Sequence, residues 1–110
     1  MILKPYDNNY PDIFNKEIKR LQKNTNFVNI FHVGSTSIPG LIGKGIIDIL
    51  WTVNDITKPI SFDGYKESSP LKFPFHRYFS NDFFHIHVLQ DHDPHIDRFL
   101  KFRDYLISHE

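Results

Sequence analysis

The sequence predicts an α+β domain: a small mixed or antiparallel sheet with flanking helices. Three observations carry this. Apolar residues recur at helical spacing near both ends of the chain, β-branched and aromatic runs fill the middle, and a turn-forming pair, Asn81-Asp82, separates the last two runs. A chain of 110 residues with no repeat, low-complexity tract or Gly/Ser linker makes one domain over residues 1–110, its seven prolines serving as punctuation. The order helix, strand, strand, hairpin, helix leads us to expect the helices on one face of the sheet.

Pro11 suits the first turn of a helix, and Phe14, Ile18 and Leu21 share one face while Lys16, Lys19, Arg20 and Lys23 decorate the rest, so residues 11–24 are expected to be amphipathic helix. Phe27 to Val33 is β-branched and aromatic and stops at Gly34, which reads as a strand entering the turn-rich stretch from Gly34 to Gly45. Ile46 to Val53 is apolar on both parities except at Asp48 and Thr52, the pattern of an interior strand buried on two faces. Asn54 to Pro74 carries Pro59, Asp63, Gly64, Ser68, Ser69, Pro70 and Pro74, loop chemistry around at most one short strand near Ser61 to Lys66. Phe75 to Ser80 and Phe83 to Leu89 then form a hairpin about Asn81-Asp82. Asp93 caps and Pro94 opens a last helix to about Ser108, with Ile96, Phe99 and Leu100 on its apolar face, joined in the widest reading by Phe102, Leu106 and Ile107.

Composition narrows the function classes. Lys plus Arg equals Asp plus Glu at thirteen each, and no long run of like charge appears, which disfavours extended nucleic-acid binding. The absence of cysteine removes disulfides, thiolate nucleophiles and Cys-based zinc knuckles, and fits a reducing, cytoplasmic setting. No apolar stretch approaches the roughly 18 residues of a membrane span, and Met1 to Tyr10 lacks a signal-peptide core, so neither membrane insertion nor processing is expected. Within this neutral average stand eleven phenylalanines and seven histidines, four of the latter (His85, His87, His92 and His95) close together.

The densest chemical signal runs from His32 to Asp48: a strand end, a loop with four glycines and three hydroxyl residues, one lysine, and a strand acid. Glycine lets backbone amides approach an anion, and Ser and Thr add donors, so Gly34, Ser35, Thr36 and Ser37 are candidates for holding phosphate oxygens. The spacing is not that of a Walker loop, and a purely structural turn stiffened by Pro39 explains the same residues. On a strand, alternate residues share a face, which puts His85 with His87 and leaves Phe84, Ile86 and Val88 opposite them. If this strand neighbours the one bearing Asp48, a carboxylate and two imidazoles converge into a three-ligand set suited to zinc, manganese or iron better than to magnesium. The competing reading leaves the imidazoles hydrogen-bonded on a half-wet face, with Asp48 bonded to the Gly-rich loop. His92, His95 and His109 read as surface groups. Arg77 either binds an anionic substrate or pairs with an acid, and Arg103 and Asp104, adjacent on a helix, are expected to pair with other elements.

Lys4-Pro-Tyr-Asp7 with Tyr10-Pro11, His32-Val-Gly-Ser-Thr-Ser-Ile-Pro-Gly-Leu41, Lys44, Ile46-Ile-Asp-Ile-Leu50, Gly64-Tyr65, Arg77-Tyr-Phe79, His85-Ile-His-Val88 and Phe102-Arg-Asp-Tyr-Leu106 together resemble the GrpB family. Similar domains look like members of the nucleotidyltransferase superfamily and occur fused after dephospho-coenzyme A kinase, where a folding role has been suggested. The resemblance implies a nucleotidyltransferase-like fold in which the loop at Gly34-Ser35 positions a nucleotide and the strand acid Asp48 lies beside it. In such enzymes carboxylates hold magnesium while a hydroxyl attacks the α-phosphorus. Here the usual second carboxylate is Leu50, and His85 and His87 occupy the strand where a further acid might stand. Gly45 replaces a proline after Lys44, Phe84 stands where a further histidine is common, and the chain stops soon after Leu106. A C-terminus so shortened is expected to leave a sheet face or pocket open, or to cover it by homo-oligomerisation.

These readings converge on a GrpB-like protein that binds a nucleotide or another phosphate-bearing small molecule. The expected activity is metal-dependent nucleotidyl or phosphoryl transfer. Asp48, His85 and His87 form the catalytic and metal set, for Mn, Zn or Mg, and Lys44 or Arg77 neutralises phosphate. Two alternatives share the residues: a non-catalytic binding or folding-assistance module, and a metal-dependent phosphoester hydrolase.

Overall fold

A computed structural model describes residues 3–68 and 76–108. Helix α1 (Tyr10–Gln22) is followed by β1 (Ile30–Val33), a 3₁₀ turn (Ser35–Ser37), β2 (Ile47–Val53), β3 (Lys66–Glu67), β4 (His76–Ser80), β5 (Phe84–Gln90) and helix α2 (Pro94–Ser108). The strands form one sheet in the order β1-β2-β5-β4-β3. Among the described residues only the central β2–β5 pair is parallel, and the other strand neighbours are antiparallel. This is the mixed α+β architecture that the residue patterns predict.

The helices lie on opposite faces of the sheet, which corrects the single-face expectation. Alternation along β2 and β5 is apolar in both directions, so each face needs its own cover. On one face α1 places Tyr10, Ile18 and Leu21 against Ile47, Ile49, Trp51, Val53, Phe79, Ile86 and Val88. On the other, Ile96, Phe99 and Leu100 of α2 pack on Val33, Leu50 and Leu89. Burying one such large aliphatic side chain is worth about 1.5–3 kcal/mol, and α1 seats two, Ile18 and Leu21, in the larger core. Trp51, fully buried, donates its indole N–H to the Asn26 carbonyl at 2.9 Å and meets Phe62 edge-on at 4.9 Å. Phe62 in turn meets Phe79 at 4.9 Å, so a cluster of large rings closes the core of a short chain.

Several boundaries differ from expectation: α1 runs Tyr10–Gln22 rather than 11–24, and β2 starts at Ile47 rather than Ile46. β1 starts at Ile30 rather than Phe27, because Thr52 takes over the pairing: its hydroxyl accepts the Asn29 N–H at 2.9 Å, and its carbonyl accepts that of Val28 at 2.8 Å. The short strand of the loop region lies at Lys66–Glu67, at the far end of the expected range, paired with β4. The hairpin turns where expected, with the Asn81 side-chain oxygen accepting the Phe83 and Phe84 N–H groups at 2.9 and 2.8 Å, but β5 runs one residue later, from Phe84 to Gln90. Phe75, the expected start of the first hairpin strand, lies outside the described residues, as do Ser69, Pro70, Pro74 and His109.

On α2 the apolar face is narrower than its widest reading. Ile96, Phe99 and Leu100 pack, whereas Phe102, Tyr105 and Ile107 are exposed at 66%, 58% and 41%. The helix therefore makes its apolar contacts with the sheet through its first half, and Phe99, Phe102 and Leu106 line a cleft beside it.

Candidate functional site

β2 and β5 are adjacent, and their register sets Asp48 directly beside His85 and Leu50 beside His87. Asp48, His85 and His87 thus share the α2 face of the sheet. The carboxylate lies between the imidazoles: Asp48 Oδ1 is 3.3 Å from His87 Nε2 and 3.6 Å from His85 Nδ1. His87 reaches a second ring, with its Nδ1 3.2 Å from His76 Nε2 on β4. Tyr78, from the same strand as His76, packs edge-on against both His85 and His87. Burial lowers the pKa of His85, with Asp48 opposing and His87 and Lys44 assisting, and it lowers that of His76, where His87 and His95 add to the effect and Asp93 opposes it.

Gly34 closes over this cluster. It follows β1 with φ +75°, a left-handed backbone that glycine adopts without steric penalty, and a Cβ there would lie 2.9 Å from both Cβ and Cγ of Asp48 and closer still to Oδ2. The turn backbone therefore rests on the carboxylate. The hydroxyls behind it have separate tasks. Ser37 Oγ donates to the Gly34 carbonyl at 2.6 Å, closing the turn, and buried Thr36 Oγ1 is 2.9 Å from His32 Nε2. His32 stacks on Phe14 at 4.6 Å, and burial pulls its pKa down to about 4. Of the three hydroxyl residues, only Ser35 lines the cleft.

That cleft encloses about 670 Å³, the size of a small-molecule site. Its walls are Val33, Ile38, Leu41, Phe99, Phe102 and Leu106, and its polar groups are Gly34, Ser35, Asp48, His87, Arg98 and Arg103. Arg103 donates to the His32 carbonyl at 3.1 Å and pairs with Asp104 at 3.0 Å. Arg98 is exposed and has no ion pair or hydrogen bond among the described residues. Neither arginine, nor His76, was a candidate site residue on sequence grounds. Arg98 sits in an ordinary helical charge pattern, and the His76 contribution becomes visible only once the β4–β5 register is known.

Lys44 is exposed beside His85 but does not line the cleft. Arg77 sits elsewhere. Alternation along β4 turns it to the α1 face with Phe79, where it is bidentate to Glu67 at 2.6 Å and donates to the Lys58 carbonyl at 3.0 Å. Strand parity places the Arg77 side chain on the α1 face, paired with Glu67, and it does not line the cleft.

Among the described residues no group of three His, Cys, Asp or Glu side chains converges so as to hold a metal ion. Asp48, His85 and His87 come together with the carboxylate between the two imidazoles, and among the described residues Asp48 is the single carboxylate lining the cleft. What the cluster supplies by itself is a carboxylate flanked by two imidazoles in an apolar cleft that two arginines also line.

A mixed five-stranded sheet with one helix on each face and a cleft above a strand carboxylate defines a small α+β domain of the kind inferred from the residue patterns. The chain belongs to the GrpB family, whose model, described as GrpB protein, matches residues 1–110. It is 35% identical over 112 residues to UPF0157 protein BH1888 of Halalkalibacterium halodurans, covering 92% of this chain and 57% of that protein. It is 34% identical over 116 residues to UPF0157 protein YqkA of Bacillus subtilis, covering 94% of this chain and 34% of that one. Among solved structures it resembles the conserved protein GrpB from Enterococcus faecalis with a TM-score of 0.87 and 30% identity, over 98% of this chain and 73% of the other. The chain spans between about a third and somewhat over half of the length of these curated relatives. No described helix is long and apolar enough to cross a membrane.

Proposed function

We propose that this GrpB-family domain binds a nucleotide, or a similar small molecule joining a phosphate to an apolar planar group, in the cleft between the Gly34–Ser37 turn and α2. The observation that carries this reading is the make-up of one cavity: Phe99, Phe102, Leu106 and Ile38 offer apolar walls, while Arg98 and Arg103 offer positive charge at the same opening. Arginine is the side chain best matched to phosphate oxygens, and Arg98 is uncommitted within the described fold. Ser35 and the Gly34 backbone face the same space.

Titration calorimetry with a panel of nucleoside triphosphates and with inorganic pyrophosphate tests the reading. Saturable binding of a nucleotide, weakened about tenfold in Arg98→Ala, is expected, since a hydrogen bond to a charged group is worth roughly 1.5–3 kcal/mol. Failure of every probe to bind overturns it.

Two activities are compatible with such binding. With one carboxylate in the cleft and no metal-holding set among the described residues, the geometry favours a binding module without transfer chemistry. Nucleotidyl or phosphoryl transfer, or phosphoester hydrolysis, is the second reading, supported by the juxtaposition of Asp48 with His87 at 3.3 Å: a carboxylate so held can accept the proton of an attacking hydroxyl or water. Release of phosphate or pyrophosphate, measured with and without Mn²⁺ or Zn²⁺ and lost in Asp48→Asn, would establish the second reading over the first.

A further inference from the structure

We propose that His76 is a positioning residue that holds His87 in the tautomer with the proton on Nε2, so that His87 presents a fixed N–H to Asp48. The geometry leaves little freedom. His87 contacts a polar partner through each ring nitrogen, His76 Nε2 at 3.2 Å from its Nδ1 and Asp48 Oδ1 at 3.3 Å from its Nε2. The Asp48 carboxylate accepts hydrogen bonds and so favours a proton on the nitrogen that faces it, but at 3.3 Å this contact is too long to fix the tautomer unaided. With the proton there, a neutral His87 has a bare Nδ1, and the ring across from that nitrogen must donate. His76 Nε2–H is placed to do so.

The surroundings of His76 fix its side of the bond. Its ring is half-buried, tilted against His87 with centroids 5.3 Å apart and edge-on to Phe99 at 6.3 Å. Phe99 also packs against His87 at 5.3 Å, so one aromatic ring from α2 clamps both imidazoles. His85 cannot substitute for His76, because it meets Asp48 itself from the other side. The result is an oriented chain from His76 through His87 to Asp48, in which a partner of the second nitrogen sets the proton on the first, as with histidines oriented by a neighbouring group in catalytic and metal sites. His76 does not line the cleft, so it acts through His87. The inference needs no ligand and stands independently of the proposed function.

Long-range proton–nitrogen correlation spectra of protein labelled with ¹⁵N-histidine read the tautomer directly. In the wild-type protein near neutral pH, His87 is expected to show a protonated, pyrrole-type Nε2 and a bare, pyridine-type Nδ1. His76→Leu, which keeps apolar bulk but no donor, should convert this single pattern into a tautomer mixture, and His76→Gln, whose amide can donate from the same place, should restore it. A backbone amide spectrum confirms that each variant is folded. If His87 carries its neutral proton on Nδ1 in the wild type, or if a folded His76→Leu variant keeps the wild-type pattern, the proposal is wrong. Because the wild-type spectrum alone can refute it, misfolding of either variant does not shield it.

Discussion

Replacing Gly34 by alanine tests whether the turn is fitted to the carboxylate beneath it. Two costs add. The backbone at Gly34 has φ +75° and ψ −173°, a region essentially reserved for glycine, and holding another residue there costs about 1–3 kcal/mol. The new methyl group would also stand 2.9 Å from Cβ and Cγ of Asp48, atoms tied to the backbone of a central strand, so the side chain cannot simply swing away. Overpacking of this kind costs about 1–3 kcal/mol. Gly40→Ala is the natural control: φ there is +83°, yet nothing lies within 4 Å of the added carbon. Gly34→Ala should therefore exceed Gly40→Ala by at least the packing cost, about 1–3 kcal/mol. With a urea slope of about 1–3 kcal/mol per molar, the two unfolding midpoints should differ by roughly 1 M. The ring resonances of His85 and His87 should move in Gly34→Ala and stay in Gly40→Ala. Equal midpoints for the two variants would refute the fit between turn and carboxylate.

The remaining predictions concern groups around that centre. Arg77→Ala should lower stability by about 1 kcal/mol, since its partners are Glu67 and backbone carbonyls, and should leave nucleotide affinity unchanged in the calorimetric assay. Tyr65→Phe removes a 2.6 Å hydrogen bond to Glu17, whose side chain is only 11% exposed, and should cost about 1–2 kcal/mol in urea unfolding while the slope stays the same. His32 gives a pH signature. Burial holds its pKa near 4 in the fold, against about 6.5 in the unfolded chain, so between these values the unfolded chain binds the extra proton. Its contribution is complete above about pH 6.5 and falls by about 2–3 kcal/mol as the pH drops toward 4. His32→Phe, which keeps a ring against Phe14, should shrink the difference between midpoints measured at pH 7 and pH 4.5.

The legible parts of the fold were those where a local pattern and the final packing agree. Phe14, Ile18 and Leu21 marked the inner face of α1, Pro94 the start of α2, and Asn81 the hairpin turn, because each depends on neighbours a few residues away. The β2–β5 adjacency entered as a condition and is realised with Asp48 opposite His85. What local pattern could not supply was anything set by side-chain competition or by layer count. Thr52 intercepts the pairing of Val28 and Asn29, shortening β1, although both segments are rich in β-forming residues. The helices cover two faces because Leu50 and Leu89 are as apolar as Ile49 and Val88. In the site, Asp48 and His87 were legible from parity, whereas Arg98, Arg103 and His76 arrive by way of α2 docking and hairpin register. Arg77 shows the converse: its family-like motif drew attention, yet one step of strand parity removes it from the cleft.

The parallel pairing at the centre of the sheet also governs when the site comes into being. Asp48 and His87 are 39 residues apart in the chain, and the strands that carry them can pair only after a long connection has folded back. Contacts of that separation form late and slow a chain's assembly. A cut anywhere between β2 and β4 would leave the carboxylate on one fragment, with α1, and both imidazoles on the other, with α2. Neither piece would own a cleft. A molecule that occupies it would bind the joined halves and neither half alone, and would thereby act as a clasp on the whole sheet.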